Sequence, residues 1–154
     1  MNYLLLENYI KSIIEKIDID ELHVFDFDMT LYDNNKESWI QEIIDQLKQS
    51  LANPKIRVIL CTACPKKEQY ILETEELLHD TNLSLLDFDD CYFKSINKKE
   101  STPRYKSNVI LDEVCSNKNI LTVKFWDDRA DTLEQVKKDL EKYDPSIVYI
   151  PIKC

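Results

Sequence analysis

Between Leu22 and Leu31 the chain reads Leu-His-Val-Phe-Asp-Phe-Asp-Met-Thr-Leu, an apolar run that meets two aspartates spaced i, i+2, with a threonine two residues beyond. The run predicts a buried strand over 22–27 whose end delivers Asp26 and Asp28 to one point. Carboxylates crowded together raise one another's pKa unless a cation stands beside them, so the fold must bring positive charge to that strand end.

The remaining pattern says how. Leu5, Leu6, Tyr9, Ile10, Ile13, Ile14 and Ile17 recur at helical spacing over residues 3–17. A second helix is predicted from about Lys36 to Leu51, with Trp39, Ile40, Ile43, Ile44 and Leu47 on one face. Ile56 to Cys61 reads as a strand, followed by a turn at Thr62-Ala63-Cys64-Pro65 and a helix carrying Tyr70, Ile71, Leu77 and Leu78. Residues 83–88 form a short helix or an extended segment, and 91–93 a brief strand. Thr102-Pro103 predicts an N-cap with proline at the first helical position, opening a helix through Val114. A strand over 120–126 ends at Asp127-Asp128, and a helix over 130–143 and a strand over 147–150 complete the chain. Strands alternating with helices predict βαβ units and a mainly parallel sheet of about five strands covered on both faces. A chain of 154 residues fits one domain, with a core over 22–150 and the N-terminal helix, within 1–18, packed on it.

Composition narrows the function classes. The net charge of −9 and pI near 4.7 oppose broad attraction to nucleic acid or anionic membrane, although Lys94, Lys98, Lys99, Arg104 and Lys106 supply a local basic patch. No apolar run approaches a membrane span, and the N-terminus lacks a basic segment and a cleavage site, so a soluble, intracellular, cytoplasmic protein is expected. Five cysteines without framework spacing fit free thiols in a reducing compartment. The Cys61-x-x-Cys64 pair has no partners to complete a zinc site, and His23 and His79 are isolated, so all four read as structural. Glycine is absent, and asparagines at 34, 35, 53, 82, 97, 117 and 119 are expected to fill turns, including any that need positive φ.

In a parallel sheet, ligands bind beyond the carboxyl ends of the strands. That edge would collect Asp26 and Asp28 from the first strand, Thr62 from the second, Asp127 and Asp128 from the fourth, and Lys106 from the first turn of the helix after the third. Taken alone, Asp127 and Asp128 would cap the next helix, Thr62 would cap the helix after Pro65, and Lys106 competes with Arg104 as the phosphate-binding base. Together, an oxygen-only acidic set suits Mg²⁺, which keeps waters and takes phosphate oxygens as further ligands. The cation, hydroxyl and ammonium then make a phosphoryl site, with the acids as nucleophile and acid/base.

At these positions the chain resembles the haloacid dehalogenase (HAD) superfamily. Asp26-Phe27-Asp28-Met29-Thr30 is similar to its DxDxT motif, Thr62 to its second motif, Lys106 to its third and Asp127-Asp128 to its acidic fourth, over roughly residues 22–150. The resemblance implies a Rossmann-like three-layer sandwich and a phosphomonoester hydrolase. It also implies a role for each residue. Asp26 would be the nucleophile forming an aspartyl-phosphate, and Asp28 the acid/base. Thr62 and Lys106 would bind phosphoryl oxygens. Mg²⁺ would be held by Asp26, the backbone carbonyl of Asp28, and Asp127 or Asp128. Met29 stands where the family often has glycine. Short segments between the motifs leave room for little or no cap, so the cleft is expected to be open and suited to a bulky or macromolecular phosphate. Two other functions are weighed: a polynucleotide-end phosphatase in nucleic-acid repair, which the net charge disfavours, and a non-catalytic binding or regulatory domain, which has no chemical reason to keep every motif residue.

Overall fold

A computed structural model describes residues 2–15 and 18–154, with side chains described at 2–10 and 18–154. In order, the elements are α1 (Tyr3–Glu15), β1 (Glu21–Phe25), β2 (Tyr32–Asp33), β3 (Ser38–Trp39), α2 (Gln41–Leu51) and β4 (Ile56–Pro65). There follow α3 (Glu68–His79), a 3₁₀ turn at Leu85–Asp87, β5 (Asp90–Lys94), α4 (Thr102–Ser116), β6 (Thr122–Asp127), α5 (Ala130–Tyr143) and β7 (Val148–Lys153). Five strands form one sheet in the order β5-β4-β1-β6-β7, every pairing parallel. This is the expected α/β, Rossmann-like three-layer sandwich.

Side chains alternate across a strand, so β1 feeds two cores at once. Leu22 and Val24 enter a cluster with Val109, Ile110 and Val114 of α4 and Leu133, Val136 and Leu140 of α5. Phe25 enters the other, with Ile43, Ile44 and Leu47 of α2 and Leu78 of α3. Phe25 also stacks on Trp126 of β6, ring centroids 4.1 Å apart, which locks β1 to its neighbour at the end where the aspartates begin. Glu113 of α4, itself buried, takes two hydrogen bonds from Arg57 at 2.6 and 3.1 Å and one from Tyr92 at 2.5 Å. That pairing pins the helix to the β4–β5 side of the sheet.

Several elements differ from the sequence expectations. The second helix begins at Gln41, not near Lys36, because residues 32–39 form the β2–β3 hairpin. Trp39 sits in that hairpin, 5.1 Å from Tyr32 and 5.9 Å from Phe27 by ring centroids, and an aromatic cross-strand pair outweighs a place on a helix face. Ser101, rather than Thr102, caps α4 by accepting from the Arg104 N–H. Positive φ falls on Met29, Glu37 and Asn82, so among the asparagines only Asn82 takes that role. α1 forms, but Tyr3, Leu4, Leu5, Leu6, Tyr9 and Ile10 are exposed. The expected packing of this helix on the core is therefore not seen over residues 2–10, and the expected contacts of Ile13, Ile14 and residue 17 lie outside the described side chains. All five cysteines are free. No helix among the described residues is long and apolar enough to cross a membrane.

Candidate active site

β1 lies at the centre of the sheet, flanked by β4 and β6, so residues toward the carboxyl ends of these three strands are neighbours across the rim. Asp26 follows β1 and its N–H donates to the Trp126 carbonyl at 3.0 Å, which continues the ladder and seats Asp26 beside Asp127 at the end of β6. Both are buried, at 4 % and 0 % exposure. Between them lies the ammonium of Lys106, 2.7 Å from Asp26 Oδ1 and 2.6 Å from Asp127 Oδ2. The lysine is 2 % exposed and stands in the second turn of α4 rather than the first. Arg104, its competitor in the sequence, is exposed and paired with Asp139 at 2.9 Å.

Burial shapes the titration of this trio. Desolvation pushes the Asp26 carboxyl up to about 7; the Lys106 charge opposes that rise and the Asp127 charge adds to it. Burial also raises Asp127, against the pull of Lys106 and of the Arg129 N–H, which donates to Asp127 Oδ1 at 2.8 Å. Burial alone would lower Lys106, but the two carboxylates outweigh it and hold the ammonium above its ordinary value.

Asp26, Asp127 and Asp128 each offer a carboxylate oxygen, all within 4.8 Å of one another. Hard oxygen donors at this spacing, with burial already penalising the ionised Asp26, fit a Mg²⁺-like cation. The Asp28 carboxylate is not in that group. It is exposed and accepts from Asn34 Nδ2 at 3.0 Å. Thr62 is buried at 1 % exposure, inside β4, which continues as strand to Pro65 where a turn over 62–65 was expected. Its hydroxyl accepts from the Cys64 N–H at 3.1 Å, where the β4–β5 register shifts.

Two further residues take part. Thr30 is fully buried and its hydroxyl donates to Asp26 Oδ2 at 3.2 Å, which leaves Asp26 held on one oxygen by Lys106 and on the other by Thr30. It reaches back because the chain reverses at Met29, φ 61°, with the Leu31 N–H returning to the Phe27 carbonyl at 2.9 Å. The threonine is visible in the sequence, but its contact depends on that reversal. Asn34, on the hairpin turn, has no sequence signal apart from its turn propensity.

Residues 11–152 match the family described as HAD domain family 1 in Swiss Army Knife RNA repair proteins. Among solved structures, a chain of the Pnkp1/Rnl/Hen1 RNA repair complex superposes with TM-score 0.60 at 17 % identity, covering 88 % of this chain and 43 % of that one. This chain thus spans less than half of that relative. The HAD domain of the effector protein Lem4 from Legionella pneumophila gives TM-score 0.65 at 14 % identity, covering 90 % of this chain and 88 % of that one. An inactive mutant of the same domain gives 0.64 at 13 %, covering 88 % and 86 %. At such identities the likeness is one of fold. No curated protein sequence matches.

Proposed function

Because the chain belongs to the HAD superfamily, within the domain family found in Swiss Army Knife RNA repair proteins, we propose that it is a Mg²⁺-dependent phosphomonoester hydrolase. The observation that carries this reading is the buried Lys106 bridging Asp26 and Asp127 at 2.7 and 2.6 Å, at the strand ends that also bear Thr62 and Asp128.

Asp26 is the nucleophile: its carboxylate attacks phosphorus and forms an aspartyl-phosphate as the bond to the leaving oxygen breaks. Thr30 and Lys106 aim it by engaging its two oxygens. Asp28, outside the cluster and open to solvent, gives a proton to the leaving oxygen, then takes one from the water that hydrolyses the intermediate. Lys106 and Thr62 bind the phosphoryl oxygens. Asp26, Asp127, Asp128 and the backbone carbonyl of Asp28 would hold Mg²⁺, which supplies charge neutralisation and Lewis acidity toward the phosphoryl group. With only the β2–β3 hairpin and α2 between β1 and β4, the edge stays open to a bulky substrate.

The test is hydrolysis of an aryl phosphate with Mg²⁺ by the wild type and Asp26→Asn. A loss on the order of 10³-fold or more is expected, and wild-type activity in the variant would sink the mechanism. A second reading narrows the substrate to a phosphorylated RNA end. It is favoured by the family's description and by the fold shared with a chain of the RNA repair complex.

A further inference from the structure

On the β5 side of the site the sheet rim opens into a cleft of about 470 Å³, lined by Lys66, Lys94 and Lys98 with the rings of Tyr92 and Tyr105. Its position follows from the topology. Thr62 pairs with Phe93, and Pro65 with Lys94; the Lys66 N–H donates to the Lys94 carbonyl at 2.8 Å; Tyr105 immediately precedes Lys106. The cleft therefore lies one strand out from Thr62, lined by the β5 residues that pair with the end of β4 and by α4. β5 lies two strands from β1, on the order of 10 Å at the usual strand spacing.

Its charge runs against the rest of the chain. Lys66, Lys94 and Lys98 form no ion pair among the described residues, on a protein of net charge −9. Lys94 donates to the Glu100 carbonyl, which ties together the ends of the 95–100 loop, whose Ser95, Lys98 and Glu100 line the cleft. Two acids also line it. The Glu100 carboxylate is occupied by Asn108 at 3.0 Å, and Asp112 lies in the third turn of α4, at the end away from the site. Exposed Lys66 and Lys98 are left with free ammonium groups beside half-buried tyrosine rings. Cationic groups that track a backbone, interleaved with aromatic faces, are what a single-stranded polynucleotide requires. A phosphopeptide whose one phosphate sits at Asp26 offers no repeating charge to meet the two free lysines.

We propose that this cleft binds the phosphodiester backbone of a single-stranded polynucleotide whose terminal phosphate reaches Asp26, with Lys66 and Lys98 as the residues that select the polymer over a small ester. This rests on the second reading above and names the residues that would enforce it. An aryl phosphate reaches Asp26 without entering the cleft, so the two substrates separate the two functions.

The experiment compares the full chain with Lys66→Gln/Lys98→Gln. Binding of a fluorescein-labelled, 3′-phosphorylated single-stranded RNA is followed by anisotropy across a salt series, beside DNA and phosphopeptide arms and kinetics on the aryl phosphate. Each phosphate contact to a single strand contributes about 0.7 to the slope of log Kd against log salt, so the double variant should lose about 1.4. Referred to 1 M salt, that is about 25-fold weaker binding at 0.1 M, with kcat/KM on the aryl ester unchanged. Equal losses with RNA and DNA support recognition of the shared backbone. An unchanged slope, no RNA binding by the wild type, or a phosphopeptide bound through the same two lysines would overturn the proposal. The binding arm needs no turnover, so it reads the cleft even if the aryl phosphate is not hydrolysed, which would count against the hydrolase reading alone.

Discussion

Replacing Lys106 by methionine keeps an unbranched stem of similar length and removes the ammonium. In the folded protein the lysine is 2 % exposed and within 2.7 Å of two buried carboxylates, so the variant strands both acids. Removing one partner of a buried ion pair costs about 3–5 kcal/mol, a large part of the roughly 5–15 kcal/mol that holds a domain folded. At about 2–4 °C per kcal/mol for a chain of this size, the melting temperature should fall by roughly 6–20 °C. The pH dependence carries a sign. Asp26 has a folded pKa near 7, above its unfolded value of about 3.9, so between the two the folded state holds more protons. Stability then declines as pH rises through that interval, by at most about 1.4 kcal/mol per unit per group. Without Lys106 the attraction that lowers Asp26 and Asp127 is gone, the interval extends to higher pH, and the deficit widens. Calorimetric melts of both proteins in EDTA at about pH 5 and about pH 8 test this. A variant that melts with the wild type at the higher pH, or a gap that narrows as pH rises, would refute the electrostatic interlock.

Met29 holds φ 61°, a conformation that costs an L-residue about 1–2 kcal/mol. Met29→Gly should therefore raise stability by about 1 kcal/mol, seen as a small increase in melting temperature; a decrease would mean that the methionine side chain's own contacts outweigh the strain. Asn34→Ala removes a 3.0 Å hydrogen bond to Asp28 and should lower kcat roughly five-fold, the equivalent of about 1 kcal/mol. KM should be unchanged, and an effect confined to KM would remove Asn34 from the positioning of Asp28. Burial lowers the His23 pKa, against the pull of Glu21, with Lys124 adding to the downward shift. Its folded pKa lies below the unfolded value of about 6.5, so stability should be lost as pH falls from there through the folded pKa. Urea melts should show that acid limb flattened in His23→Gln.

The parts legible in the sequence were those written in periodicity. The predicted bounds of α5, 130–143, coincide with Ala130–Tyr143, because Leu133, Val136 and Leu140 mark a buried face between clear stops. Two strand ends were legible too, since apolar runs stop at Asp26 and Asp127, whereas β4 runs on through the expected turn at Thr62 to Pro65. What escaped depends on contacts distant along the chain or on shape at one residue. The two-residue strands β2 and β3 are too short to show alternation and are held by rings from Phe27, Tyr32 and Trp39. Positive φ at Glu37 and Met29 follows from tight turns that no residue type announces in a chain without glycine. Lys106 was separable from Arg104 only by packing, which buries one and leaves the other at the surface.

The order β5-β4-β1-β6-β7 also sets when the site can exist during folding. Asp26, Lys106 and Asp127 are far apart along the chain, and their meeting depends on β6 docking against β1 in parallel register, an entropically expensive loop closure. No contiguous fragment shorter than the span from β1 to β6 can bring the three charges together. While the chain is incomplete, Asp26 remains solvated and ordinary in its acidity, and its perturbed chemistry arises only once the central sheet has closed. The strand pairing is thus a structural precondition for the raised pKa of Asp26, which no part of the chain short of that span can supply.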